Sequence, residues 1–311
     1  MLDILTITTP IFIIIGLGFL SARCGLLSRE QIRGIGSFVI HFALPALLIH
    51  ALVTRPFEEV IKPGYLLAYG LASLAVFAVG FALSRWLRGD NLQGSAMAGL
   101  GMSASNSGFI GYPVAAMVIG PTAAAIPMAL GMLVESLLMI PLALALAEAG
   151  RQSGGGARQV VAQTARRLAR NPLLLAMLAG LSLSLLELRL PPILLHSVEL
   201  LAQASAPAAL FAIGGTLYGL KPGGMLAEVS QVALGKLLLH PLAVYVAFSL
   251  VPSPDPTLKV AALLFASAPM MSIFPLLGQQ YGLENRCSTA LVTATALSFL
   301  TMSALLGILG I

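Results

Sequence analysis

The polar groups that could do chemistry in this chain are few, because the sequence is 58% hydrophobic and only 9% charged over 311 residues. Asn106 is the first. It stands in Ser103-Ala-Ser-Asn-Ser-Gly-Phe-Ile-Gly-Tyr-Pro113, in the middle of an apolar run from Gln93 to Ile119. A buried amide at bilayer depth must find hydrogen-bond partners. Ser103, Ser105, Ser107 and Tyr112 surround it with hydroxyls, and Gly108 leaves room for close approach. Together they could hold a small polar solute. Serines in membrane helices also bond back to their own carbonyls, so each hydroxyl alone is ambiguous.

Two ionisable side chains fall well inside apolar runs. Lys236, in Leu234-Gly-Lys-Leu-Leu-Leu-His-Pro241, lies about 15 Å from the start of its run, at the helical rise per residue. That is too deep for easy snorkelling, and it marks the lysine as a candidate for an anionic substrate or for a pair with Glu135. Glu135, in Gly131-Met-Leu-Val-Glu-Ser, is the candidate for carrying a coupled proton. His41, His50 and His240 also fall in or near apolar runs, where a packing role is the default. No His/Cys/Asp/Glu grouping has metal-ligand spacing, so neither a metal nor a cofactor is expected. No serine is obviously matched to a histidine, and no aspartate pair lies in a run, which argues against an intramembrane hydrolase.

The elements that must position these groups are membrane helices. Apolar runs are expected at 3–22, 34–54, 64–85, 93–119, 122–147, 172–188, 196–219, 226–250, 257–280 and 287–309. The first has no basic residue before it and is expected to be retained. Twelve of the seventeen Lys and Arg residues fall in loops on one side of a ten-span arrangement, four on the other, and Lys236 within a span. The positive-inside rule then puts both termini outside the cytoplasm. The basic balance therefore reads as topology and not as nucleic-acid binding. Cys24 and Cys287 are too few for a disulfide framework. In the longest loop, Ser153-Gly-Gly-Gly156 is a flexible linker. The Arg-rich stretch 157–170 after it fits either an interfacial helix or a solvated connector.

Prolines and glycines interrupt two of the runs. Pro113, with Gly108 and Gly111 before it, should break the fourth span. Pro269 and Pro275 should break the ninth, at Phe265-Ala-Ser-Ala-Pro-Met-Met-Ser-Ile-Phe-Pro275. Broken backbone at that depth is tolerated only inside protein or beside a cavity. The two regions also match each other. Pro45-Ala-Leu-Leu pairs with Pro207-Ala-Ala-Leu, Ala104-Ser105 with Ala266-Ser267 and Tyr112-Pro113 with Phe274-Pro275, all at an offset of 162 residues. Lys62-Pro-Gly64 pairs with Lys221-Pro-Gly223 at 159. An odd number of spans per repeat inverts the second copy, which is the pattern of secondary transporters. Crossed half-helices would bring free N–H groups and free carbonyls to one midplane site. In this register Asn106 falls opposite Ala268 and Gly108 opposite Met270. The site is thus expected to be polar on one side and more apolar, with Ser267, Ala268 and Met270, on the other.

Gly34-x-Gly36 and Gly214-Gly215 are expected at close helix contacts or a dimer face.

Several of these stretches together resemble the auxin efflux carrier family, which includes bacterial malonate and malate permeases. They are Phe42-Ala-Leu-Pro-Ala-Leu-Leu, Asn106-Ser-Gly-Phe-Ile-Gly-Tyr-Pro113, Arg170-Asn-Pro172, Ala206-Pro-Ala-Ala-Leu-Phe-Ala-Ile-Gly-Gly-Thr-Leu217, and Lys236 with His240-Pro241. The resemblance implies an all-α polytopic protein with ten transmembrane helices in two inverted five-helix repeats. These are expected at 1–149 and 172–311, joined by a cytoplasmic linker at 150–171. It implies a scaffold of spans 1, 2, 6 and 7, a transport part of spans 3–5 and 8–10, and crossing broken helices 4 and 9. It maps the family's crossover Asn and Pro onto Asn106, Pro113 and Pro275, and implies a homodimer in the inner membrane. The plant members' long loop between the halves is absent, which favours the bacterial carboxylate permeases. Sodium sites of the similarly folded bile-acid symporters are not evident. The expected function is alternating-access transport of a mono- or dicarboxylate such as malonate or malate, coupled to protons. The alternatives are organic-anion efflux without ion coupling, a sodium-coupled symporter, and a membrane sensor on a transporter scaffold.

Overall fold

A computed structural model of the chain describes residues 2–54, 62–150, 162, 165–166, 169–218, 226–251 and 255–310. They are almost wholly helical, with no strand among them. The helices are α1 (Leu2–Arg23), α2 (Arg29–Val53), α3 (Pro63–Leu87), α4 (Leu92–Ser103), α5 (107–119), α6 (Pro121–Ala149), α7 (Pro172–Leu185), α8 (Pro192–Gln203), α9 (Ser205–Leu217), α10 (226–250), α11 (Pro256–Ser267), α12 (Phe274–Gln279) and α13 (Glu284–Leu309). Among the described residues, six helices or helix pairs are long and apolar enough to cross a membrane: α2, α3, α6, α8 with α9, α10 over Val229–Leu250, and α13. Large apolar side chains such as Trp86, Ile193, Leu250 and Ile308 stand exposed, as a lipid-facing surface requires.

Side-chain caps set several helix starts. Ser28 and Gln31 form a reciprocal capping box that begins α2 at Arg29, five residues before the expected boundary. Asn91 caps α4 through Gly94 N (2.8 Å), Asn171 caps α7 through Leu173 N and Leu174 N, and Asp255 caps α11 through Thr257 N. Arg170-Asn-Pro172 is therefore a helix start in which asparagine supplies the cap and proline the first residue.

The proline-rich pattern produces π-helical turns as well as breaks. Val39–Ala43, Ser107–Gly111, Glu135–Met139 and Gly235–Leu239 are π turns, and each is followed within two residues by a proline: Pro45, Pro113, Pro141 or Pro241. In each case the residue before the proline donates its N–H five residues back: Leu44 to Val39, Tyr112 to Ser107, Ile140 to Glu135, His240 to Gly235. Proline supplies no N–H and its ring crowds the carbonyl four residues back. One extra residue in the turn relieves that crowding and keeps the helix continuous. The expectation that Pro113 breaks its span is corrected accordingly. The interruption falls at Ala104–Asn106, seven residues earlier, and Pro113 sits beyond a π turn inside α5.

α1 packs on α9, and α2 packs on α7, α8 and α9; α3 packs on α4 and α10, α4 on α6, and α10 on α13. Gly18 and Gly214 let α1 and α9 touch backbone to backbone: a Cβ on either would run into a carbonyl of the other helix, Phe211 or Ile15. Gly215 seats Ile32 of α2. The expectation of close packing at Gly214-Gly215 describes these contacts. At Gly34 it does not hold within the chain, since a Cβ there meets nothing within 4 Å. The Lys221-Pro-Gly223 match and most of the 157–170 stretch lie outside the described residues, although 162, 165 and 166 are helical.

Candidate functional site

Two broken helices meet in the interior. α4 ends at Ser103, and Ala104 turns out in an extended conformation. α11 ends at Ser267, and Ala268 does the same. The breaks are joined directly: Asn106 N donates to Pro269 O at 2.7 Å, and Asn106 Nδ2 donates to Ser272 Oγ at 2.8 Å. Asn106 Oδ1 accepts from Phe109 N at 3.3 Å, so the same side chain caps α5. Pro269 lies inside the second break, and Pro275 is in the first turn of α12. Gly111 lies against Phe265 of α11, where a Cβ would stand 2.5 Å from the ring.

Behind the Asn106 turn sits a polar network that spans α3, α6, α10 and α11. Glu135 Oε1 accepts from Ser105 N (3.0 Å) and from Ser107 Oγ (3.0 Å). Lys236 Nζ donates to Ala266 O (2.6 Å) and Ser105 Oγ (2.8 Å), and stands 2.8 Å from His240 Nδ1. Tyr69 Oη shares a hydrogen bond with Ser105 Oγ at 3.2 Å, and Ser73 Oγ lies 3.1 Å from His240 Nε2. Lys236, His240 and Ser73 are 0% exposed and Glu135 5%. The expected Lys236–Glu135 relation is thus indirect. Ser105 lies between them, with its hydroxyl on the ammonium and its amide on the carboxylate.

The helices explain these positions. Lys236 and His240 are one helical turn apart across a π turn, and Glu135 opens another. Tyr69 and Ser73, spaced four apart on α3, share one face. Neither Tyr69 nor Ser73 was singled out from the sequence. Their signal was two hydroxyls at helical spacing in an otherwise apolar run. Ser73 also supplies the serine–histidine contact that the sequence did not reveal, because its partner is 167 residues away. With Lys236 as an ammonium, Nδ1 of His240 is an acceptor. Nε2 then carries the ring proton and donates to Ser73.

The remaining predicted residues divide. Ser103 and Ser267 bond back to Gly99 O and Leu263 O of their own helices. Tyr112 is fully buried. Ala268 and Met270 are fully buried in the second break, whereas Gly108 is half-buried beside Leu44. Among the described residues, no group of three His, Cys, Asp or Glu side chains could hold a metal ion.

One further cluster ties α3, α4, α10 and α13 together at one end. Arg286 grips both oxygens of Asp90 (3.1 and 2.7 Å), Ser84 donates to Asp90 Oδ2 (2.5 Å), and Arg88 donates to Gln231 Oε1. Partial burial alone would raise the Asp90 pKa. The Arg286 and Ser84 hydrogen bonds and the neighbouring guanidinium charges outweigh it and hold the carboxylate below its ordinary 3.8.

The chain is similar to known proteins along nearly its whole length. The chain is 34% identical over 312 residues to a Rhizobium meliloti (strain 1021) protein named "Putative malonate transporter", covering 98% of this chain and 96% of that one. It is 25% identical over 302 residues to "Uncharacterized transporter YfdV" of Escherichia coli (strain K12), covering 95% and 94%. Both names describe transporters and not enzymes. The family profile described as "Membrane transport protein" matches residues 3–306. A match of that extent establishes that the chain belongs to the membrane transport protein family, the auxin efflux carrier-like family its motifs resemble.

Proposed function

We propose that this protein is a secondary active transporter of a small organic anion, a mono- or dicarboxylate such as malonate or malate, working by alternating access. The observation that carries the reading is the joint between the two breaks, where Asn106 bonds Pro269 and Ser272. A chain opens two helices against each other in an apolar interior only where polar backbone has work to do. In this reading Asn106, Ser107 and the N-terminal end of α5 hold the carboxylate, and Gly108 gives it room. Ala268 and Met270 back its carbon body. Lys236 contributes positive charge from behind Ser105. Glu135, bonded to the same loop through Ser105 and Ser107, carries the coupled proton. The malonate transporter name of a relative 34% identical supports the substrate class.

The same reading includes ten spans in two inverted repeats, 1–149 and 172–311, with both termini periplasmic in a bacterial inner membrane. The two breaks, each after a capped twelve-residue half-helix, support it. It also includes a scaffold of α1, α2, α7, α8 and α9, which pack on one another, and a homodimer formed through it. The test is counterflow of radiolabelled malonate and malate into proteoliposomes. Wild type accumulates label, and Asn106→Ala lowers apparent affinity at least about tenfold, the equivalent of 1.4 kcal/mol. Asn106→Ala with wild-type rate and affinity would overturn the site. Absence of counterflow with every mono- and dicarboxylate tried would overturn the substrate class.

A further inference from the structure

We infer that the Lys236 ammonium is a resident cation: it fills a cage of protein acceptors at the crossing where a dissociable monovalent cation would otherwise sit. Ammonium has three N–H donors. All three find protein partners: Ala266 O at 2.6 Å, Ser105 Oγ at 2.8 Å and His240 Nδ1 at 2.8 Å. The side chain is 0% exposed, so no donor is left for a substrate. Ala266 is the penultimate residue of α11, and its carbonyl is among the last four that a helix leaves without an intrahelical partner. Ser105 lies just beyond the end of α4. Each broken helix therefore contributes one oxygen at the end where carbonyl dipoles favour positive charge. Such an arrangement would suit a small monovalent cation. Here α10 fills it with a group on a four-carbon tether, held from the other side by His240 one turn on.

Two consequences follow. The nitrogen is fixed to α10 and cannot leave the cage as a free ion would. The crossing is also complete in electrostatic terms without sodium, because Glu135 already faces the opposite side of Ser105. The second consequence rests on the transporter reading above. The first does not.

The experiment removes the tether. Lys236→Ala leaves the cage intact but empty, and Lys236→Met refills its volume without charge. Apparent Tm of the purified full-length chain is followed against methylammonium, sodium, lithium and choline at constant ionic strength, with no carboxylate present. Lys236→Ala should lose roughly 5 °C or more relative to wild type. Methylammonium should restore at least about half of that loss, saturably, while choline, too large for the cage, restores none. Lys236→Met and wild type should respond to none of the four. An alanine variant indifferent to methylammonium, sodium and lithium alike overturns the inference, as does a methionine variant that responds like alanine. The wild-type arm stands whether or not the alanine variant folds: sodium-dependent stabilisation, or malonate counterflow that fails when choline replaces sodium, also overturns it. Since the thermal arms contain no carboxylate, methylammonium rescue in a protein that moves no malonate would sink only the substrate reading.

Discussion

Ser105 is the joint of the buried network, and its hydroxyl can be removed without touching its amide. Ser105→Ala keeps the backbone N–H that Glu135 accepts, and deletes the bonds to Lys236 Nζ (2.8 Å) and Tyr69 Oη (3.2 Å). A hydrogen bond to a charged group contributes about 1.5–3 kcal/mol, and a neutral one about 1 kcal/mol. The site is 1% exposed, so water cannot replace either partner. The expected cost is about 2.5–4 kcal/mol, or a fall in apparent Tm of roughly 4–6 °C for a chain of this size. The decisive measurement is a double-mutant cycle with Lys236→Met. Methionine leaves Ala266 O and His240 without a donor in both arms, so that penalty cancels. In the Lys236→Met background, Ser105→Ala should cost only the Tyr69 bond, about 1 kcal/mol. The coupling between the two positions should therefore be about 1.5–3 kcal/mol. If Ser105→Ala lowers Tm equally in both backgrounds, the ammonium–hydroxyl bond contributes nothing and the network is wrongly drawn.

Three further outcomes can be checked directly. Glu135→Gln, isosteric but unable to release a proton, should abolish stimulation of malonate counterflow by an imposed pH gradient while leaving exchange without a gradient measurable. Gly214→Ala must push α1 away from α9, because its Cβ meets the Ile15 carbonyl; it should cost about 1–3 kcal/mol in thermal unfolding, whereas Gly16→Ala, with nothing within 4 Å, should be neutral. Asp90→Asn should destabilise by about 1–2 kcal/mol at neutral pH by breaking the bidentate Arg286 grip. Because the folded carboxylate titrates below its ordinary 3.8, its contribution is present above that pH and is lost as pH falls through the lower folded value; a pH series of apparent Tm should show this acid loss in wild type and not in Asp90→Asn.

Much of the site could be read from residue type alone. A charged or amide side chain in a long apolar run is conspicuous, and Asn106, Glu135 and Lys236 lie near the joint between the two breaks. Their partners could not be read. Nothing local to Lys236 says that its ammonium reaches Ala266 O and Ser105, or that Ser105 separates it from Glu135; those distances are set by how α6, α10 and α11 pack. The proline visible in the sequence points to a break at Pro113 in the expected fourth span. It falls at Asn106 because Pro269, 163 residues later, supplies a carbonyl for the Asn106 N–H, a competitor that no local rule contains. Ser103 and Ser267 bonded to their own helices while Ser105 and Ser107 did not. The difference is position: the first pair ends a helix, and the second lies beyond the end of α4 and has no carbonyl four residues back in helical register.

The π turns have a consequence for how this chain tolerates change in length. Each carries one residue more than an α-helix would need, and one residue is worth about 100° of rotation. The stripes of side chains above and below a π turn are thus out of frame with each other. Glu135 and Lys236 stand at such frame shifts, and so does the π turn that begins at Ser107. Removing one residue from Gly235–Leu239 would let the helix close as a plain α-helix with its backbone bonds intact. It would turn His240 away from Ser73 or Lys236 away from Ser105. Loss of that single residue would leave a continuous helix that no longer lines up the two halves of the network.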